Sequence, residues 1–278
     1  MGAALYGRIA VGAALEPLRR RPDEPPDREL RRDAIAVDRA HLAAYCRVCG
    51  FALGDTLPPP YPHVLAFPAA LELMAATDFP FALLGVVHVA NRIEQLRPLH
   101  AHEPLELRVR AENLAPHPRG RTVDVVAEAR VAGVTAWRSR STYLRRARGG
   151  HGGGRAARAE PPDPSAVWTV PGATGRRYAA VSGDRNPIHL SRPAARLLGQ
   201  PGAIAHGMWT KARCLAALQG RLPPAFAVDV AFKLPLVLPA RVAFASWPED
   251  GGRRFALHDA RSGRPHVDGT LTHGAWTE

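Results

Sequence analysis

Lysine is almost missing from this chain. Of its 37 basic residues only Lys211 and Lys233 are lysine, the rest being arginine, and with 25 acidic residues the formal charge is +12. Such a charge first suggests a polyanionic partner. Glycine (25) and proline (27) are raised along with arginine, as a GC-rich coding sequence would produce. Compositional bias is therefore the main reading, with attraction of anionic ligands second. Cysteine is scarce too: Cys46, Cys49 and Cys214 build no disulfide framework and fit a reducing, cytoplasmic setting. No apolar run reaches the roughly 18 residues needed to span a bilayer. The longest, Phe79 to Ala90, is broken by Gly85 and His88. The start, Met1 to Tyr6, lacks a basic n-region and a myristoylation pattern. P-loop, GxGxxG and GxSxG patterns are absent as well.

A metal site is not expected. Cys46-Arg47-Val48-Cys49 has no second pair for a zinc ribbon and falls within a probable helix from His41 to Phe51, so both cysteines read as core. His63, His88, His100, His102 and His117 are scattered without ligand spacing.

The segment from Arg145 to Pro164 is rich in glycine, arginine and proline, without apolar periodicity. It is expected to be a flexible linker, assigned to 148–162 between units at 1–147 and 163–278. It carries no aromatic residue to stack on bases, so a nucleic-acid partner is not expected. Tyr45 and Gly50 in the first unit echo Tyr178 and Gly183 in the second. The echo then stops, because Phe51 stands where Asp184 stands. Each unit has one apolar helix candidate. Phe67, Leu71 and Met74 mark the first, with Pro68 placed in its opening turn, and Met208, Ala212, Leu215 and Leu218 mark the second. Alternating strand patterns follow each helix: Leu105, Leu107 and Val109; Val123 to Ala129; Val228 to Leu234; Val242 and Phe244; Phe255 and Leu257. A helix followed by an antiparallel meander, twice, predicts an α+β architecture of two like units.

The densest chemistry lies in Tyr178-Ala-Ala-Val-Ser-Gly183-Asp184-Arg-Asn186-Pro187-Ile-His189. Pro187 disfavours helical geometry at Asn186, so a short extended loop is expected to aim Asp184 and His189 into one cavity. A carboxylate and an imidazole sharing one water form a general acid/base device. Further on, Ala205-His206-Gly207-Met208 opens the second apolar helix, where a glycine amide is a ready oxyanion donor. Taken singly, an Asp-x-Asn-Pro turn reads as local turn chemistry and His189 as a structural histidine.

Together, these residues resemble the hydratase-2 signature of the MaoC-like (R)-specific enoyl-CoA hydratases and dehydratases. The resemblance is strong over about 165–220 and weak in the first unit. It implies a double hot-dog, each unit having a long central helix wrapped by antiparallel sheet. It implies reversible hydration of trans-2-enoyl thioesters to (R)-3-hydroxyacyl thioesters in fatty-acid metabolism, with acyl-CoA or acyl carrier protein as substrate carrier and no cofactor. The implied catalytic set is Asp184, Asn186, His189 and Gly207. Tyr178, Gly183, Pro187 and His206 support the motif, His206 bracing the glycine. The first unit, lacking the Asp/His pair, is expected to house the acyl chain, with Phe51, Leu65, Phe67 and Phe81 as candidate lining. Pairing of sheet edges into a homodimer is a further expectation. The competing reading is a non-catalytic acyl-thioester-binding or scaffolding subunit of a dehydratase complex, against which the intact motif argues.

Overall fold

The computed structural model describes residues 21–83, 85–147 and 160–274. Most of the linker assigned to 148–162 lies outside the described residues. Arg145 and Arg146, read with the linker by composition, instead end a strand.

The first half runs β1 (Glu29–Ile35), α1 (Arg39–Cys49), α2 (Tyr61–Ala75), β2 (Val86–Gln95), β3 (Leu105–His117), β4 (Gly120–Val131) and β5 (Val134–Arg146). The second half runs β6 (Ala166–Val170), α3 (Thr174–Ser182), α4 (Pro187–Leu190), α5 (Arg192–Leu197) and α6 (Gly207–Ala217). It closes with β7 (Phe226–Phe232), β8 (Ala240–Glu249), β9 (Gly252–Asp259) and β10 (Pro265–His273). All strands lie in one ten-stranded sheet of order β1-β3-β4-β5-β2-β7-β10-β9-β8-β6. Read inward from either edge, the two halves have the same strand order, so the repeat hinted at by Tyr45/Gly50 and Tyr178/Gly183 extends to topology.

The halves meet where β2 pairs antiparallel with β7, from Ala90↔Ala231 to Gln95↔Phe226. Their small helices cross-link as well. His41 Nε2 lies 2.8 Å from the Val181 carbonyl, and the Trp209 indole N–H donates to the Val48 carbonyl at 3.0 Å. Tyr45 and Tyr178 approach with ring centroids 6.4 Å apart.

Local chemistry explains the helix boundaries. Asp38 caps α1 by accepting from the Ala40 and His41 amides, and Gly50 closes it in the left-handed region. Helix α2 starts at Tyr61, with Pro62 in its first turn. Pro68 therefore sits inside the helix and not in its opening turn as expected. It removes one backbone hydrogen bond, which burial of almost the whole helix surface offsets. The periodic triplet Phe67, Leu71 and Met74 marked only the later part of that helix. Strand β7 also ends earlier than the alternation suggested, at Phe232, leaving Leu234 exposed.

One of the two lysines lies at the junction of the halves. Lys211 on α6 is 0% exposed. Its Nζ donates to Asn91 Oδ1 at 2.6 Å, the Asn91 carbonyl at 3.0 Å and the Val228 carbonyl at 3.1 Å. Asn91, in β2, donates in turn to Ser139 Oγ and Ser141 Oγ in β5. Burial drives the amine well below its usual range, whereas three acceptors at these distances call for the three donors of the ammonium. The contact geometry decides in favour of the charged form. An arginine fork could not match this compact three-way arrangement. Asn91→Ala is expected to cost about 3 kcal/mol, and more than Lys211→Met, because it leaves a buried charge short of an acceptor whereas the methionine removes the charge. Urea denaturation of both variants checks this; a costlier Lys211→Met would refute the clamp.

Candidate active site

Helix α3 delivers the motif. It ends at Gly183, whose φ of 75° favours glycine and whose amide donates to the Ala179 carbonyl. Asp184 follows, and its Oδ1 accepts from the Asn186 amide at 3.2 Å. Asn186 is extended, as the following proline requires, and its Oδ1 caps a short helix by accepting from the Ile188 amide at 3.3 Å. His189 thus rides on the single helical turn α4, not on an extended loop. Pro187 excludes helix at the residue before it but favours the first position of a new one. Gly175 in α3 lets this turn pack close, since a Cβ there would stand 2.1 Å from the His189 carbonyl oxygen.

The imidazoles are oriented by backbone. His189 Nδ1 lies 2.8 Å from the Ile204 carbonyl, which can only accept, so Nδ1 carries the proton and Nε2 the lone pair. His206 Nε2 donates to the Asp184 carbonyl at 3.0 Å and stands 3.8 Å from Asp184 Oδ2. The two rings stack at 3.6 Å between centroids, with Tyr178 at 4.9 Å from His206. Burial lowers the His189 pKa, opposed by the Asp184 charge and the Ile204 hydrogen bond. Burial, then the His189 charge, brings His206 down to about 3. Both rings are therefore neutral at pH 7. His206 is the cap residue of α6, and Gly207 is its first helical residue. First-turn amides have no acceptor within their own helix and sit at the positive end of its dipole.

A cleft of about 1470 Å³, counting its open mouth, gathers these groups. Tyr178, Ser182, Asp184, Asn186, His189 and Gly207 line it from the second half. Apolar walls come from the first half, through Val64, Phe67, Leu71, Met74, Leu83 and Val86. Of the four residues expected to line an acyl site, only Phe67 borders this cleft. Phe51 stacks on Tyr45 in the core, Phe81 packs edge-on against Phe79, and Leu65 packs against the core from a half-buried position. A helix turns successive apolar residues to different sides, so apolar character alone did not identify the cavity face.

Sequence reasoning missed His63, His88 and Tyr143, three polar rings that the first half contributes to the cleft. His88 stacks on Tyr143 at 4.6 Å and meets Phe232 edge-on at 5.0 Å. Burial, then the Lys211 charge, lowers His63 to about 4; burial, then His63 and Lys211, lowers His88 to about 3. The available signal was polarity inside an apolar pattern: a buried histidine in α2 and another in β2.

Asp184, His189 and His206 also offer ligand atoms within 4.8 Å of one another, a spacing that suits either a cation or a clamped water. This convergence escaped the sequence reading, which weighed only the other histidines as ligands.

The comparisons with known proteins meet this geometry. A model for the MaoC-like domain matches residues 155–268, the stretch that carries the motif. The 3-hydroxyacyl-thioester dehydratase X of Mycobacterium tuberculosis is 39% identical over 274 residues, 95% of each chain. The chain belongs to the MaoC-like dehydratase family. A crystal structure of that M. tuberculosis protein, HtdX, superposes with a TM-score of 0.79 at 39% identity, covering 88% of this chain and all of the other. Another M. tuberculosis protein, described as a double hot-dog, matches at a TM-score of 0.54 and 13% identity over 89% of this chain and 96% of that one; it speaks for the fold alone. The MaoC-like chain therefore has the double hot-dog fold. Among its described residues no helix is long and apolar enough to cross a membrane.

Five histidines whose folded pKa values are pushed below the usual 6.5, His63, His88, His189, His206 and His266, line this MaoC-like cleft. The unfolded chain binds protons at these positions where the folded one does not, so folding stability falls as pH drops below 6.5. The loss continues towards pH 3–4, the range of the lowest folded values. Denaturation midpoints are expected to be level from pH 8 to 7 and to fall steeply between pH 6 and 4.5. A midpoint unchanged between pH 7 and 5 would contradict the neutral assignment of these rings.

Proposed function

We propose that this chain catalyses the reversible hydration of trans-2-enoyl thioesters to (R)-3-hydroxyacyl thioesters, carried by CoA or acyl carrier protein. The observation that carries this reading is the convergence of the Asp184 carboxylate, the lone-pair nitrogen of His189 and the first-turn amide of Gly207 on one cleft. The named activity of the 39% identical relative, a 3-hydroxyacyl-thioester dehydratase, supports it.

In this mechanism Asp184 and His189 clamp one water. Its oxygen attacks C3 of the enoyl thioester while its proton passes to the pair. Electron density moves to the thioester oxygen, which the Gly207 amide stabilises from the helix terminus. The proton then goes to C2, and the hydroxyacyl product leaves. Dehydration is the reverse. Asn186 holds the turn through its cap, and His206 braces Asp184 by its backbone. Tyr178 packs behind them. No step calls for a metal or redox cofactor, and a cytoplasmic setting suits three free cysteines.

We assign the second half to chemistry and the first half to the acyl chain. The wall formed by Phe67, Leu71, Met74 and Val86 gives an alkyl chain apolar contact. Each buried CH₂ there contributes about 0.8 kcal/mol.

Asp184→Asn and His189→Ala are each expected to keep the fold and lower turnover about 100-fold or more. Their combination should lower it little further, as for groups acting as one unit. Loss of enoyl absorbance with crotonyl-CoA, on protein dialysed against EDTA, reads both claims. Near wild-type turnover in either variant would remove the assignment, and loss of wild-type activity on dialysis would move the triad to metal binding.

Val86→Phe narrows the first-half wall. It should lower kcat/KM for dodecenoyl-CoA about tenfold, by displacing roughly two CH₂ groups, and spare crotonyl-CoA. An equal loss on both substrates would make the first half a structural partner only.

A further inference from the structure

The segment Leu234–Leu236 walls the catalytic cleft and also borders a second groove. That groove holds about 1490 Å³, counting its open side. Val167 and Pro239 line it, together with Arg241 from β8 and with Arg261 and Arg264 from the β9–β10 turn. None of these three guanidinium groups has an ion-pair partner among the described residues. One carboxylate, Asp259, also borders the groove. Its Oδ1 is occupied by the Arg261 amide at 3.2 Å, the Ser262 amide at 2.6 Å and the Ser262 hydroxyl at 2.7 Å, so it serves the turn.

His266 stands where cleft and groove meet, since it lines both. It is 8% exposed. Its Nδ1 lies 3.0 Å from the Leu234 carbonyl, which makes Nδ1 the donor and leaves Nε2 as an acceptor. That Nε2 is buried and has no hydrogen-bond partner. A buried acceptor without a donor is costly and asks for a ligand N–H or O–H. Outward from the reacting groups there is thus a reaction cleft, then one acceptor, then three cations. A ligand matching that order has a thioester at one end, an amide along its length and a phosphate at the other.

We propose that the groove bounded by Arg241, Arg261 and Arg264 binds the phosphate end of the thioester's carrier arm, with His266 Nε2 accepting from an amide N–H of that arm. This rests on the thioester reading above. The shared chemistry is a phosphorylated pantetheine, borne either by CoA or by a carrier protein. Arginine recognises phosphate through charge-assisted, often bidentate hydrogen bonds, and all three side chains lie at the surface where such a group arrives.

The test compares wild type with Arg261→Ala/Arg264→Ala on crotonyl-CoA, a crotonyl carrier protein and crotonyl-pantetheine, which keeps thioester and amides but lacks phosphate. The double variant should raise KM for crotonyl-CoA about tenfold, the scale of losing hydrogen bonds to a charged group, and leave kcat and the crotonyl-pantetheine KM unchanged. A rise confined to CoA or to the carrier protein identifies which source the groove serves. His266→Phe should raise KM for all three, because all carry the amide. An equal rise for crotonyl-CoA and crotonyl-pantetheine in the double arginine variant, or no rise for either phosphorylated substrate, would overturn the proposal. Calorimetry with free CoA reads the groove without turnover. If wild type hydrates none of the thioesters, the activity reading fails, yet CoA binding weakened about tenfold in the arginine variant would still support the groove. Unaltered CoA binding, or none to wild type, together with no rise in KM for the crotonyl carrier protein, would overturn it.

Discussion

A single buried ammonium holds the two halves of this protein in register. Lys211 reaches from α6 to β2 of one half and β7 of the other and finds three acceptors there. Asn91 passes the constraint on to Ser139 and Ser141 in β5. A buried charge tolerates little displacement of its partners, since each lost acceptor leaves it less compensated. The strands at the centre of the ten-stranded sheet and the helix that begins at Gly207 are thereby fixed against one another. The cleft lies between elements tied by this clamp, so its geometry depends on it. In a chain otherwise committed to arginine, the lysine at this position reflects shape: three donors on a compact head.

The repeat explains how the two halves come to differ around one cleft. Both halves have one strand order, a helix closed by a left-handed glycine, and a tyrosine five residues before that glycine. After Gly183 the chain turns through Asp184, Asn186 and Pro187 and restarts as a helical turn carrying His189. After Gly50 it continues with Phe51, which stacks on Tyr45. The first half therefore fills with rings the place where the second carries Asp184 and His189. It still reaches the shared cleft, through His63, His88 and Tyr143 and through an apolar wall. Neutral imidazoles suit that position. Burial and the nearby ammonium both oppose their protonation, so these rings add no charge to a cleft bordered by Asp184, Arg119, Arg146 and Lys233.

Local signals were legible where local chemistry is decisive. Gly183, Asn186 and Pro187 announce a stop, a cap and a restart, and Gly207 announces a helix start. The spacing of Asp184 and His189 pointed to one cavity, although proline was read as forcing extension where it also begins a helix. Strand alternation survived in β3 and β7, whereas Val123 to Ala129 in β4 and Phe255 to Leu257 in β9 are buried without alternation. It failed at Leu234, where the strand ends.

The sequence by itself determined the two-unit α+β architecture, the family resemblance and the residues of the Gly183-to-His189 motif. These follow from short-range rules of periodicity, capping and turn chemistry, which a few consecutive residues express in full. Tertiary structure alone decided the clamp at Lys211, the neutral state of the cleft histidines and the identity of the cavity wall. It brought Phe67 into the cleft and kept Phe51, Leu65 and Phe81 out. Those outcomes depend on contacts between residues far apart in the chain, for which no spacing in the sequence is a measure. Burial, which sets both the protonation of a histidine and the cost of a charge, exists only once the two halves have closed on each other.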